Sequence, residues 1–105
     1  MFDMSSLVKR YFPINLEDGR KLEIEPPKLK TLKKIAQLSK LTAGGELTEE
    51  DIVSLSTAIS LALSKNKTNV KITPDDVEDM FDINSMYDFL TTYFNWVNEI
   101  QNSKN

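Results

Sequence analysis

This chain must do any chemistry without the most common catalytic side chains. Its 105 residues include no His and no Cys. The side chain that most often serves as general base near neutral pH is therefore missing, along with thiolate nucleophiles, disulfides and the usual zinc ligands. Carboxylates, lysines and tyrosines remain. The densest acidic cluster is Asp75, Asp76, Glu78, Asp79 and Asp82. A calcium loop needs alternating acids, a glycine and a distal glutamate. This stretch lacks that pattern, and Thr73-Pro74 ahead of it marks a helix start instead. Gly44-Gly45 is followed by no Gly-Lys-Ser/Thr run and preceded by no strand, so it is not a phosphate loop. Nothing near the scattered acids would raise one pKa for hydrolysis. The sequence reads as non-catalytic, with no cofactor and no metal.

Two other constellations point to recognition. Lys28, Lys30, Lys33, Lys34 and Lys40 give one helix a basic face. A nucleic-acid site would add interleaved aromatics and a basic balance, whereas 13 Lys and Arg face 16 Asp and Glu, for a net charge of −3. The lysines read as a solvated face, or as one that pairs with the acids of 75–82 inside the chain or between subunits. The second constellation is the helix expected over 84–101. Met86, Leu90, Tyr93, Val97 and Ile100 form its inner stripe, flanked by Phe89 and Trp96 on one side and by Tyr87 and Phe94 on the other. This apolar sector spans about 180°, against roughly 100° for packing on one neighbour. Either the other elements cover all of it, or Phe89 with Trp96, or Tyr87 with Phe94, forms an exposed ridge suited to a partner's groove or a subunit interface. The expected partner-binding residues are Tyr87, Phe89, Tyr93, Phe94, Trp96, Val97 and Ile100.

Positioning these residues requires a hairpin and about four helices. The flanks of Glu17-Asp18-Gly19 alternate apolar and polar as half-buried strands do. A three-residue loop pairs Ile14 with Leu22 and Phe12 with Ile24, and sets Gly19 in the left-handed position. Pro13 marks its strand as an edge; Leu7 and Val8 are a further strand start. Pro26-Pro27 opens a helix over 28–41, with Leu29, Leu32, Ala36 and Ser39 as its inner line and Ile35 beside it. Gly44-Gly45 is a hinge. Thr48 to Asp51 forms a capping box for a central helix running to residue 64, on which Ile52, Leu55, Ile59, Ala62 and Leu63 share a face. Residues 65–71 are a polar loop. Thr73 caps a short helix carrying Val77, Met80 and Phe81. Asn84 caps the last helix, and residues 102–105 fray.

The expected architecture is one α+β, mostly helical domain over residues 1–105, with a hairpin region at 1–27 and a helical region at 28–105. The hydrophobic fraction of 40% and charged fraction of 28% are ordinary for a globular chain. No signal peptide or membrane span is legible, so the expectation is a whole cytoplasmic protein.

Three stretches carry a family likeness: Phe12-Pro13-Ile14-Asn15-Leu16-Glu17-Asp18-Gly19; the Leu-Lys helix after Pro26-Pro27; and the tail. The tail runs Ile72-Thr73-Pro74-Asp75-Asp76-Val77-Glu78-Asp79-Met80-Phe81-Asp82, then Tyr87-Asp88-Phe89-Leu90 and Phe94-Asn95-Trp96-Val97-Asn98-Glu99-Ile100. In this order they resemble the small tail assembly chaperones of long-tailed bacteriophages and of prophages of low-GC Gram-positive bacteria. The resemblance implies a non-catalytic, mostly helical protein in the cytoplasm of a bacterial host. Such a protein binds the tape measure protein, keeps it soluble, recruits tail tube subunits, and is absent from the finished particle. In many such phages a programmed frameshift near the gene's end adds a C-terminal extension, and Ser103-Lys104-Asn105 is compatible with a slippery sequence there if the serine codon ends in A. The alternatives are a structural tail or connector component of a virion, and a small nucleic-acid-binding regulator using the Lys28 to Lys40 helix.

Overall fold

A computed structural model describes residues 11–40 and 47–102. The expected strand start at Leu7 and Val8, the hinge at Gly44-Gly45 and the segment Ser103-Lys104-Asn105 lie outside the described residues. The fold is α+β and mostly helical: strands β1 (Phe12–Asn15) and β2 (Lys21–Ile24), then helices α1 (Leu29–Leu38), α2 (Glu49–Ser64), α3 (Pro74–Met80) and α4 (Ile83–Asn102). Helix α2 packs on all three other helices and on β2. Its small residues allow this approach, with Ser56, Ala58 and Ser60 all buried.

The hairpin takes the register that puts apolar residues opposite one another, Phe12 with Ile24 and Ile14 with Leu22. The Leu16 N–H donates to the Arg20 carbonyl (2.8 Å) and the Gly19 N–H to the Leu16 carbonyl (2.9 Å). Gly19 has φ +94, where a side chain would be strained although the space around it is open. Asp18 accepts from the Arg20 N–H (3.0 Å) and from its guanidinium (2.8 Å), and the backbone bond holds the carboxyl below its usual range. Among the described residues β1 is an edge, with Pro13 opposite Glu23.

The other side of β2 is not free. The Glu25 N–H donates to the Lys65 carbonyl (2.8 Å) and the Lys67 N–H to the Glu23 carbonyl (3.0 Å). Residues 65–71 form a loop, as the sequence implies, but one organised around the buried side chain of Asn66. Its amide donates to the carbonyls of Leu63 (2.8 Å) and Val70 (2.7 Å). Its oxygen accepts from the Val70 N–H (2.9 Å) and from the N–H and hydroxyl of Thr68 (both 3.2 Å). Ser64 closes the loop, its hydroxyl donating to the Ile72 carbonyl (2.9 Å) and accepting from the Ile72 N–H (3.0 Å).

Helices α2 and α3 begin at the expected caps. Thr48 and Asp51 bond reciprocally at 3.0 and 3.1 Å, as do Thr73 and Asp76. Two expectations need correction. Helix α4 is capped by Asp82 rather than Asn84. The Asp82 carboxylate accepts from the Ser85 N–H (2.8 Å), and the Ser85 hydroxyl accepts from the Asp82 N–H (2.9 Å). This reciprocal pair satisfies two orphan donors where Asn84 would satisfy one. In α1, which starts after both prolines, the buried residue is Ile35, with Leu32, Leu38 and Ser39 half-buried, while Leu29 and Ala36 are exposed. The stripe through Leu32, Ile35 and Leu38 offers more apolar area than one ending in Ala36 and Ser39, so it is the one that is buried.

Replacing Asn66 with Ala strands the Leu63 and Val70 backbone groups in the interior. The expected cost is about 3 kcal/mol, read as a melting temperature lower by roughly 10 °C or more. An unchanged melting temperature would show that the loop does not depend on this amide.

Candidate protein-interaction surface

Helix α4 divides into three strips. Met86, Phe89, Leu90, Tyr93, Val97 and Ile100 are buried. The edge bearing Phe89 and Trp96 is covered from the hairpin: the Phe12 ring stacks on Trp96 (5.4 Å between centroids) and lies 6.0 Å from Phe89 and 6.4 Å from Tyr93. Phe81, at the end of α3, meets Phe89 edge-on at 6.0 Å. On the opposite edge Ile83, Tyr87 and Phe94 are half-buried. Phe94 touches the cluster edge-on through Tyr93 (5.8 Å), while Tyr87 makes no ring contact among the described residues.

The expected partner-binding set is therefore split. Phe89, Tyr93, Val97 and Ile100 lie in the core and offer no surface. Trp96 is a half-buried ring at the core's margin. Tyr87 and Phe94, half-buried as Trp96 is, form a pair two turns apart on the opposite edge. The split has a physical cause: Phe12 and Phe81 bring two rings from other elements to the flank of Phe89 and Trp96 and none to the flank of Tyr87 and Phe94.

Charge is sorted by element. Among the described residues, ion pairs join Arg20 to Asp18, Lys65 to Glu25 and Lys67 to Glu23. None joins the α1 lysines to the acids of 75–82, so the expected pairing inside the chain does not occur there. Asp76 and Asp82 are engaged as caps, and backbone N–H groups of Thr73 and Ser85 respectively hold their carboxyls below the usual range.

Two surface features escaped the sequence reading. A groove of about 330 Å³ runs between α2, α3 and α4, lined by Ile52, Glu78, Phe81, Asp82, Ile83 and Met86. A neighbouring hollow of about 260 Å³ is lined by Glu49, Ile52, Val53 and Glu78 and so shares Ile52 and Glu78 with it. Val53 is 54% exposed at this site, and Leu29 on α1 is 70% exposed. The position of Val53 off the apolar face of α2 was the available signal for the first. For Leu29 the signal was the competing stripe through Ile35. Among the described residues no cluster of acids is arranged to hold a metal ion, and no helix is long and apolar enough to cross a membrane.

Comparisons of the chain with protein-family models, with curated proteins and with solved structures find no match. What the surface does must be read from its own geometry.

Tyr93 is 0% exposed and its hydroxyl has no hydrogen-bond partner among the described residues, as is also true of the Ser56 hydroxyl. Burial pushes the Tyr93 phenol well above its ordinary value of 10.0. An orphaned hydroxyl costs folding energy, so Tyr93→Phe is expected to leave stability unchanged or raise it by up to about 1 kcal/mol in urea denaturation. The wild type has a second signature. Because the folded value is raised, the contribution of this group to stability is intact below pH 10.0. Above that the unfolded chain ionises first, and stability falls by up to about 1.4 kcal/mol per pH unit. In Tyr93→Phe the alkaline decline should be shallower; a marked loss of stability at neutral pH would show instead that the hydroxyl is bonded.

Proposed function

We propose that this chain is a non-catalytic protein-binding protein that engages a helical partner along the Ile83, Tyr87 and Phe94 edge of α4, and that its biological role is that of a phage tail assembly chaperone. The observation that supports binding is the pair of half-buried rings, Tyr87 and Phe94, on an edge of the helix that receives no ring from the hairpin, whereas Phe12 packs on the opposite edge at Phe89 and Trp96. Aromatic residues two turns apart on a rigid helix make low-entropy anchors for an apolar helix. The absence of His and Cys from the sequence also favours binding over catalysis. The narrower role rests on the resemblance in segment order to tail assembly chaperones. On that reading the partner is a long helical tape measure protein, tail tube subunits are recruited afterwards, and the work is done in the bacterial cytoplasm.

The test is co-expression with the product of a long downstream gene encoding a mostly helical protein. The chain is expected to raise that product's soluble fraction and to co-purify with it. Tyr87→Ser should reduce co-purification by roughly tenfold or more, as loss of a central aromatic anchor does, while the melting temperature stays within a few degrees. Trp96→Ala is a poorer probe, because its ring is stacked on Phe12 and its loss is expected to destabilise the fold. Presence of the chain in purified virions would overturn the chaperone role in favour of a structural one. Unaltered capture by Tyr87→Ser would remove the α4 edge.

A further inference from the structure

The groove between α2, α3 and α4 and the exposed side of α1 are opposites in charge and alike in apolar character. Each charged residue lining the groove and its neighbouring hollow is acidic: Glu49, Glu78 and Asp82. The floor is apolar, formed by Ile52, Phe81, Ile83 and Met86, with Val53 open to solvent at one end. On α1 and its end, Leu29, Lys33, Ala36 and Lys40 follow one another at spacings of four, three and four, and all are exposed. Leu29, Lys33 and Ala36 share one line of the helix surface, with Lys40 just beyond its end; Leu29 is an apolar knob on that line, and the lysines are unopposed by any acid. No acidic residue occurs between Pro26 and Gly45. Helices α1 and α3 each pack on α2, and no ion pair among the described residues links the two charged surfaces within one molecule.

We propose that the groove receives α1 of a second copy of this chain, with Leu29 inserted over Ile52 and Phe81 and the lysines of α1 set against Glu49, Glu78 and Asp82. Both halves of the complementary pair are carried by the same chain, and among the described residues neither is engaged in an ion pair, Asp82 serving besides as the cap of α4. Exposed ion pairs hold little energy individually, so Leu29 supplies the apolar anchor while the lysines set orientation and encounter rate. Lysine stems lie along the groove wall with their ammonium groups in water. Because groove and knob are different surfaces, the contact is heterologous, and copies add head to tail into a ring or an open filament. This contact is separate from the aromatic edge of α4 and does not depend on what binds there.

Sedimentation velocity of the full chain tests it. Wild type is expected to form species that grow with concentration, and raising salt to about 0.5 M should weaken the association roughly tenfold. A knob variant, Leu29→Glu with Lys33→Glu, and a groove variant, Val53→Lys with Glu78→Lys, are each expected to be monomeric. All four substitutions are at exposed positions, and each variant is expected to remain helical by circular dichroism. The decisive sample is the equimolar mixture. The intact groove of the first variant accepts the intact α1 of the second, so the mixture forms a one-to-one dimer that grows no further. Tyr87→Ser should self-associate as wild type does, which separates this outcome from failure of the α4 surface. A wild-type monomer at millimolar concentration overturns the proposal, as it would if residues 1–10 or a foreign helix filled the groove. Association that survives in both variants, or a mixture that stays monomeric, overturns it as well.

Discussion

Asn66 is the constraint on which the arrangement depends. The chain must reverse after α2, and a reversal inside the protein leaves backbone groups that need partners. One buried amide supplies both kinds: it donates to the carbonyls of Leu63 and Val70 and accepts from the N–H groups of Thr68 and Val70. Aspartate at this position would lack the two donors and bring a charge into the interior. The ordered loop presents Lys65 and Lys67 to β2, whose Glu23 and Glu25 backbone groups bond to them. Strand β2 is thereby fixed against α2, β1 follows by its register, and Phe12 comes to rest over α4. The covering of the last helix is thus decided by a loop in the middle of the chain.

Phe12 in turn separates core from surface on α4. With Phe81, Phe89, Tyr93 and Trp96 it makes a cluster of tilted and stacked rings, the geometry aromatic pairs prefer. Tyr93 sits at its centre with a hydroxyl that has no partner among the described residues, a polar atom tolerated for the area its ring buries. A helix with a wide apolar sector, covered by α2 along its stripe and by Phe12 and Phe81 along one flank, leaves one edge over. Tyr87 and Phe94 are that edge.

Where local chemistry decides the structure, the sequence makes it legible. The hairpin register follows from parity and Gly19, and the starts of α2 and α3 follow from Thr48 and Thr73. The cap of α4 was misassigned because Asp82 and Asn84 both have capping side chains, and only the reciprocal bond with Ser85 distinguishes them. The burial of Asn66 has no local signature, since its partners include backbone groups that only the folded loop brings together. The four core residues of the candidate site, Phe89, Tyr93, Val97 and Ile100, have the same difficulty. Periodicity put them on one face, but whether that face is covered depends on Phe12, from the other end of the chain. The line of α1 was misplaced because two stripes compete on a short helix, and the one chosen differs by a single rotation step.

The sorting of charge has no folding explanation. Acids at a helix start are stabilised by the dipole and by capping bonds, and that accounts for Asp51, Asp76 and Asp82. It does not account for Glu78 and Asp79 near the end of α3, where the dipole disfavours negative charge. Nor does it explain three lysines on α1, with Lys28 and Lys40 just outside its ends, and no acid beside them. Mixing the signs on each helix would gain several favourable pairs at neighbouring turns. The penalty is small because these groups are exposed and water screens them. A small penalty borne on two helices, beside an apolar groove on one and an exposed leucine on the other, has no counterpart in the stability of the monomer. It does have one in the orientation of an intermolecular contact, where like charges repel wrong alignments and unlike charges select the right one.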